Sequence, residues 1–240
     1  QSLCVSTQVG CAMGCNFFAT LQQGLTRDLT AGEIINQILT LEQEKQVRIT
    51  NIVLMGMGEP LANYPEVMKS IRLLNHEQGL NIGSRRITVS TCGLVPEIKQ
   101  LAHEGLQLTL AVSFHAPTNK LRSEMMPINE CYPIEEVVAA CDYYSEQTGR
   151  RVSFEYALVA GVNDSRSQAQ KLAELLQGRL AHVNLIPINQ VTEVKYSSPP
   201  EQVIAEFKEE LAAKNIPATV RTERGADINA ACGQLKSREG

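Results

Sequence analysis

Short apolar runs rich in β-branched residues alternate along this chain with longer stretches in which apolar residues recur every three or four positions. The short runs predict β-strands and the longer stretches predict α-helices, because side chains repeat every second residue in a strand and about every 3.6 residues in a helix. Regular strand–helix alternation predicts βαβ units and a largely parallel sheet in an α/β fold. The predicted strands are Leu3–Thr7, Asn51–Met55, Arg86–Thr91, Gln107–Ser113, Val152–Leu158, Val183–Pro187 and Ala218–Arg221.

Capping and breaking residues mark the helices between these strands. Thr30-Ala31-Gly32-Glu33 predicts a capping box that opens a helix reaching about Glu44. Six or seven strand–helix units fit an open or partial barrel or a doubly wound sheet, and in both architectures ligands bind at the carboxyl ends of the strands. The continuously apolar run 52–55 also predicts a strand covered on both faces. The other predicted helices are Pro65–Glu77, Pro96–His103, one beginning at Pro133, Ser165–Leu176 and Pro200–Lys214.

Length and composition favour one soluble, cytoplasmic domain. The chain has 240 residues, enough for a single α/β domain, with 43% hydrophobic and 20% charged residues. No apolar run approaches the roughly 18–20 residues of a membrane helix, and no signal peptide is recognisable. The net charge of −4 argues against a globally basic nucleic-acid binder, yet local basic patches remain open at Arg85-Arg86, Arg150-Arg151 and Arg221 to Arg224.

The seven cysteines are an odd number without secretory features, which favours reduced thiols or a metal site over a disulfide framework. Residues 11–18 read CAMGCNFF. A CxxxCxxC loop supplies three thiolates to a [4Fe–4S] cluster, because iron–sulfur clusters are held by soft anionic sulfur. Cys11 and Cys15 are in register with that spacing, but Phe18 stands at the third position. As an isolated pair, the two cysteines fit small buried thiols equally well.

Further motifs lie at the predicted strand ends: 57–60 (MGEP), 113–117 (SFHAP), 185–189 (LIPIN) and 224–235 (RGADINAACGQL). Together with residues 3–17 they resemble, in the same order, the radical-SAM 23S rRNA/tRNA adenine methyltransferase family, the C2 and C8 adenine methylases. The resemblance spans nearly the whole chain. It implies a partial (β/α)6 radical-SAM barrel with mostly parallel strands, formed as a single domain by residues 1–240. The small N-terminal domain of such enzymes is then missing from this sequence.

The resemblance also implies the cofactors and their residues. Cys11, Cys15 and position 18 would ligate the [4Fe–4S] cluster, and a second set would bind S-adenosylmethionine. Taken singly, members of that set also have structural explanations, such as a core histidine, a turn asparagine or a strand-end hydroxyl bonded to backbone. The implied cofactor-binding residues are Gly58 and Glu59, which would receive the methionine ammonium, and Ser90, Ser113, Phe114, His115 and Asn189.

The implied reaction adds a methyl group to an adenine carbon, C2 in preference to C8, of 23S rRNA and also of tRNA. One cofactor molecule would methylate the thiolate of Cys232, and a second would be cleaved at the cluster to a 5′-deoxyadenosyl radical. That radical would take a hydrogen atom from the S-methyl group, and the methylene radical would add to adenine. Cys4 would help remove a proton and resolve the adduct through a disulfide with Cys232. Gly225 and Gly233 predict a flexible loop around Cys232.

The implied partners are RNA and a reductant such as flavodoxin or ferredoxin, acting on a monomer. Arg221 and Arg224 suggest a lowered thiolate pKa at Cys232. Cys141 follows the apolar stripe of its helix and predicts a core position, and no role is expected of Cys131. Cys92 lies two residues beyond Ser90 and stays open as a substitute cluster ligand.

Phe18 predicts weak, oxygen-labile or absent cluster binding, because a phenyl ring offers iron no lone pair. Activity is then expected to be lost or severely reduced. Two other functions remain open: a non-catalytic relative that binds RNA or S-adenosylmethionine, and a different radical-SAM reaction. The Cys4 and Cys232 pair argues against the last, since a generic radical-SAM enzyme has no use for a methylatable cysteine in a C-terminal loop.

Overall fold

A computed structural model describes residues 1–16, 24–188 and 196–221. Seven parallel strands form one sheet in the order β1-β4-β5-β6-β7-β8-β9, and β2 and β3 pair as a separate antiparallel hairpin. The strands are β1 (Ser2–Cys4), β2 (Gln8–Gly10), β3 (Leu25–Asp28), β4 (Asn51–Leu54), β5 (Ile87–Thr91), β6 (Thr109–Ser113), β7 (Val152–Leu158), β8 (Ala181–Pro187) and β9 (Ala218–Val220).

The sheet is curled into a half-barrel. Arg221, just beyond β9, donates from Nη1 to the sulfur of Met55, just beyond β4, at 3.6 Å. Five strand spacings separate β4 from β9, so a flat sheet would keep these positions about 24 Å apart. The contact therefore requires the two sides of the sheet to approach each other. The predicted α/β class and partial barrel are confirmed, and a doubly wound sheet is excluded.

Helices connect the strands at or near the predicted positions. The capping box of the first helix is confirmed, with Thr30 accepting from the Glu33 amide and the Glu33 carboxylate accepting from the Thr30 amide. Ser165 caps the sixth helix in the same way. The helices are α1 (Ala31–Lys45), α2 (Tyr64–Asn75), α3 (Val95–Leu101), α4 (Asn119–Met125), α5 (Ile134–Thr148), α6 (Arg166–Leu176) and α7 (Glu201–Ala213). Within the described ranges no helix is long and apolar enough to cross a membrane.

The two faces of the sheet have different chemistry. Along β5, Ile87 and Val89 are fully buried in the apolar core with the helices, whereas Thr88 and Ser90 point to the opposite face and are half-buried. We call the helix-covered side the convex face and the other side the concave face. The expectation that β4 is covered on both faces is wrong, because Val53 lies on the concave face outside the core.

Strand register lines up the concave residues in transverse rows of mostly polar side chains. Two of these rows matter below, and each crosses four strands. The lower row is Ser90–Ala111–Ser153–His182, and the upper row is Ser113–Glu155–Asn184–Thr219.

The first strand is shorter than predicted. It ends at Cys4, and the amides of Thr7 and Gln8 both donate to the carbonyl of Met57 before the β2–β3 hairpin begins. A side chain at position 56 would come within 2.6 Å of Ser6 Oγ, so glycine is required where these segments touch. This close approach bends the chain away from the sheet, and the apolar run of residues 3–7 does not reveal it. The short helix α4 was not predicted either.

Candidate active site

The cysteine loop is fixed over the carboxyl ends of the strands by backbone contacts. Cys11 donates its amide to the carbonyl of Gly24 at 2.9 Å. Gly10 has φ +82° and a Cβ there would collide with the same carbonyl oxygen, so only glycine fits. Asn16 donates its amide to the carbonyl of Met125 at 3.1 Å and its side-chain amide to Glu124 at 2.6 Å. The loop is thereby tied to α4.

Cys11 and Cys15 lie close to each other and to Glu59. Burial, with smaller contributions from charge on Cys11 and Glu59, raises the pKa of the Cys15 thiol to about 12. Burial also raises the pKa of Cys11, partly offset by the Met13 amide. Both thiols are therefore protonated at neutral pH unless a cation such as a metal draws the proton away.

A cluster held by three thiolates needs a third cysteine beside Cys11 and Cys15. The predicted third position, Phe18, lies outside the described residues, and its side chain has no donor atom for iron. In the part of the chain that the structure describes, no group of three or more His, Cys, Asp or Glu side chains could hold a metal ion. The residues present therefore do not fit a cluster held by three protein thiolates.

Glu59 connects the ends of β4 and β5. Its carboxylate is 4% exposed and accepts from the Leu61 amide at 2.9 Å and from the Cys92 amide at 2.7 Å. Its own amide donates to Gln8 Oε1 at 2.8 Å. Gly58 has φ +106°, and a Cβ there would lie 2.6 Å from Gln8 Cβ, so glycine is needed. Burial raises the pKa of Glu59. The side chains of Cys92 and Thr91 also hydrogen-bond to this carboxylate.

The two predicted serines lie on the concave face at the strand ends. Ser90 and Ser113 are half-buried, and their hydroxyls make no hydrogen bond with the described residues. Phe114 differs, because its ring is fully buried on the convex face and meets Phe154 edge-to-face at 5.4 Å between ring centroids. Only the backbone of Phe114 faces the strand ends, and its amide already donates to the carbonyl of Glu155.

His115 is buried and bridges the ends of β6 and β7. Its backbone has φ +59°, which is unusual for a residue other than glycine. Its Nδ1 accepts from the Ala157 amide at 2.9 Å, and its carbonyl accepts from Asn163 Nδ2 at 2.7 Å. Burial, with a smaller contribution from Arg122, lowers the pKa of His115 to about 3. The imidazole is therefore neutral at physiological pH.

Arg122 is a site residue that the sequence did not reveal. It is fully buried, and its guanidinium lies 5.7 Å from the centroid of the Phe114 ring. It forms no ion pair with a carboxylate of the described chain. Four of its five acceptors lie seven to ten residues away in the sequence and Cys92 lies thirty residues away, and no short motif marks them. They are Cys92 O at 2.7 Å, Asn129 Oδ1 at 3.0 Å, and Ser113 O, Phe114 O and Tyr132 O at 3.3 Å.

The remaining cysteines are distributed as follows. Cys4 is exposed on β1, an edge strand, in register with Val53 on the concave side. Cys92 is buried in the same apolar cluster as Cys15. Cys141 is buried in the core as predicted, and Cys131 is exposed. Among these and the two loop cysteines, no disulfide joins one described cysteine to another. The predicted residues Asn189 and Cys232, together with Arg224, lie outside the described residues.

Comparison with known proteins agrees with this geometry. The sequence profile described as "Radical SAM superfamily" matches residues 5–175. A protein of Clostridium novyi named "Probable dual-specificity RNA methyltransferase RlmN" is 54% identical over 236 residues, which cover 98% of this chain and 69% of that protein. A protein of the same name from Clostridium acetobutylicum is 55% identical over 236 residues, covering 98% of this chain and 68% of that protein.

A solved structure is also similar over nearly the whole chain. The crystal structure of "a radical SAM methyltransferase from Sphaerobacter thermophilus" superposes with a TM-score of 0.94 at 54% sequence identity. The match covers 97% of this chain and 69% of the other.

Proposed function

Since this chain belongs to the radical SAM superfamily and, within it, to the RlmN-type RNA methyltransferases, we propose that it is built to methylate an adenine carbon of RNA through Cys232. The similar proteins carry "dual-specificity RNA methyltransferase" in their names. The proposed substrates are 23S rRNA and tRNA, with C2 of adenine favoured over C8. The proposed setting is the cytoplasm, with the protein as a monomer that receives electrons from a flavodoxin or ferredoxin.

One observation carries the proposal: the side chain that follows edge strand β9 reaches the end of β4, the neighbour of the strand that carries Cys4. Cys4 lies on edge strand β1 beside β4. Arg221, which follows the opposite edge strand β9, contacts Met55 at the end of β4. The chain to Cys232 therefore departs from the neighbourhood of Cys4. The eleven residues from 221 to 232 can span up to about 36 Å when extended. A loop of that reach can bring the Cys232 thiol to Cys4.

The two cysteines take complementary roles in this proposal. The Cys232 thiolate accepts and carries the methyl group, and Cys4 later closes a disulfide with Cys232 to release the RNA. Arg221 and Arg224 stabilise the thiolate form of Cys232, because nearby guanidinium groups favour the negative charge. S-Adenosylmethionine supplies the methyl group when bound.

The concave face fits that cofactor. Ser90 and Ser113 offer hydroxyls that make no hydrogen bond with a described residue. Gly58 and Glu59 follow β4, which lies between β1 and β5 in the sheet. The Glu59 carboxylate would receive an ammonium group, and Asn189 would add an amide. His115 and the backbone of Phe114 would line the base of the cofactor site, because both bridge the ends of β6 and β7 by hydrogen bonds. Burial at these strand ends excludes water from the bound group.

Phe18 is expected to impair this machinery. The two described thiols, Cys11 and Cys15, leave a three-thiolate cluster one ligand short, so we propose that the cluster binds weakly and that methylation is lost or strongly reduced. Cys92 is a candidate substitute ligand, since it is buried in the same apolar cluster as Cys15. The alternative is a non-catalytic relative that binds RNA or S-adenosylmethionine, and the same substitution favours it.

Restoring the missing ligand tests the proposal. Phe18→Cys and the wild type would be reconstituted anaerobically with iron and sulfide, with Phe17→Cys as the matched control. We expect about four irons per chain and methylated adenosine, detected by mass spectrometry of digested RNA, in Phe18→Cys alone. If Cys92 is the substitute ligand, the wild type should instead bind iron and methylate adenosine, and Cys92→Ala should abolish both. Iron uptake without methylated adenosine in Phe18→Cys would support the non-catalytic alternative.

A further inference from the structure

The upper row of the concave face holds a buried carboxylate that the proposed reaction does not use. Glu155 lies in the middle of β7 and is 3% exposed. Its register partners are Ser113 on β6 and Asn184 on β8. Strands in a sheet are about 4.8 Å apart, so Glu155 stands one strand spacing from a serine already assigned to the cofactor.

The two carboxylate oxygens of Glu155 have different surroundings. Oε1 accepts from Asn184 Nδ2 at 2.8 Å and from the Ser153 hydroxyl at 3.0 Å. Oε2 is buried and makes no hydrogen bond with the described residues. A buried oxygen without a donor costs free energy, and native structures pair nearly all such atoms. The donor expected at Oε2 therefore comes from beyond the described residues, for example from a bound ligand.

The surroundings favour a neutral donor over a cation. Arg221 is near enough to oppose the rise in the pKa of Glu155 that burial causes, so positive charge is already present. Asn184 and Thr219 in the upper row already have hydrogen-bond partners within the chain, since Asn184 Oδ1 accepts from the Thr219 hydroxyl at 2.6 Å. The Ser113 hydroxyl, by contrast, has no described partner. Glu155 and Ser113 are register partners on neighbouring strands, so their side chains can face one ligand with adjacent hydroxyl groups.

We propose that Glu155 is a specificity residue for adenosine-type ligands, in which Oε2 accepts a hydrogen bond from a ribose hydroxyl beside Ser113. The inference rests on the proposed function, because that function brings two sources of ribose to this face. S-Adenosylmethionine has a free vicinal diol, whereas a nucleotide inside an RNA strand has only its 2′-hydroxyl. The two sources can therefore be told apart.

Calorimetric titration of the full chain with S-adenosylhomocysteine and its 2′,3′-dideoxy analogue tests the proposal. Glu155→Gln keeps the shape without the charge, and Glu155→Asp keeps the charge one methylene shorter. Thr88→Ala, lower on the same face, is the matched control. We expect the wild type and Thr88→Ala to bind the ribose form about 10- to 100-fold more tightly, as a hydrogen bond to a charged group gives. Both Glu155 variants should lose this preference, with unchanged thermal unfolding.

A second arm identifies the source of the ribose. An adenosine-containing RNA oligonucleotide would be compared with the same strand carrying one 2′-deoxyadenosine. A preference seen only in this arm, and lost in Glu155→Gln, assigns the hydroxyl to RNA and still supports the proposal. A Glu155 variant that weakens both forms of the ligand by the same factor overturns it, as does a wild type that shows no preference for the hydroxyl-bearing form in either arm. Failure of the wild type to bind any adenosyl ligand contradicts the proposed function itself.

Discussion

The two faces of the half-barrel follow opposite physical rules. The convex face of β5 and β7 contributes Ile87, Val89 and Phe154 to a continuous apolar core under the helices. The concave face of the same strands carries Thr88, Ser90, Ser153 and Glu155, and none of them joins that core. In an ordinary (β/α)8 barrel the interior is packed with branched apolar side chains.

The contrast separates stability from function. Substitutions on the convex face should cost folding free energy, because they leave cavities in a dense core. Substitutions on the concave face should leave folding nearly unchanged and alter ligand binding. Where the faces meet, at the carboxyl ends of the strands, both effects are expected.

Phe154→Ala should have the largest effect on folding. The ring is buried and packs edge-to-face on Phe114, so its removal should lower the free energy of unfolding by about 3–5 kcal/mol. Urea denaturation measures the change. Thr88→Ala, on the concave side of the sheet, should cost less than about 1 kcal/mol. Equal losses in the two variants would refute the division between the faces.

Arg122→Met tests the place where the faces meet. The guanidinium donates to carbonyls at the ends of β5 and β6, and methionine leaves those buried acceptors without donors. The free energy of unfolding should fall by about 2–4 kcal/mol. Arg72→Met is the control, since Arg72 lies exposed on α2, and it should change stability by less than about 1 kcal/mol. If Arg122→Met does not lower the free energy of unfolding, water or repacking replaces the hydrogen bonds of the guanidinium.

His115 should make the protein acid-sensitive. Its pKa falls from about 6.5 in the unfolded chain to about 3 in the folded protein. Below pH 6.5 the unfolded chain takes up a proton that the folded chain refuses, so stability is lost as the pH falls toward 3. His115→Asn keeps an acceptor and tolerates positive φ. Urea unfolding from pH 8 to pH 4 should show the wild type losing stability relative to the variant. A constant difference would contradict the assigned neutral imidazole.

Ser165→Ala should have the smallest effect. Ser165 caps α6 by accepting from the Gln168 amide, and losing a cap of this kind costs about 1 kcal/mol. Ser167→Ala, at the exposed second residue of the same helix, should change the free energy of unfolding by less than about 0.5 kcal/mol. If Ser167→Ala lowers the free energy of unfolding as much as Ser165→Ala does, the Ser165 hydroxyl does not stabilise the helix as a cap.

The fold was predictable because the strands and helices differ in period, and the capping box at Thr30 marked the start of one helix. The sequence predicted the polar concave face only in part. Residues 87–90 alternate between apolar and polar side chains, but the apolar run of β4 suggested that both faces of that strand are covered. Arg122 was missed because its acceptors are carbonyls that only the folded chain brings together. The orphaned oxygen of Glu155 is likewise a tertiary property, since its sequence neighbours give only the alternation of a strand.

The central proposal is that the segment following β9 carries Cys232 to Cys4. Mild oxidation of the full chain, followed by mass spectrometry of non-reduced peptides, measures this directly. The account predicts that the peptide containing Cys4 is linked chiefly to the one containing Cys232. The exposed Cys131 serves as the internal reference for random pairing. Linkage of Cys232 to Cys131 as often as to Cys4 would contradict the account.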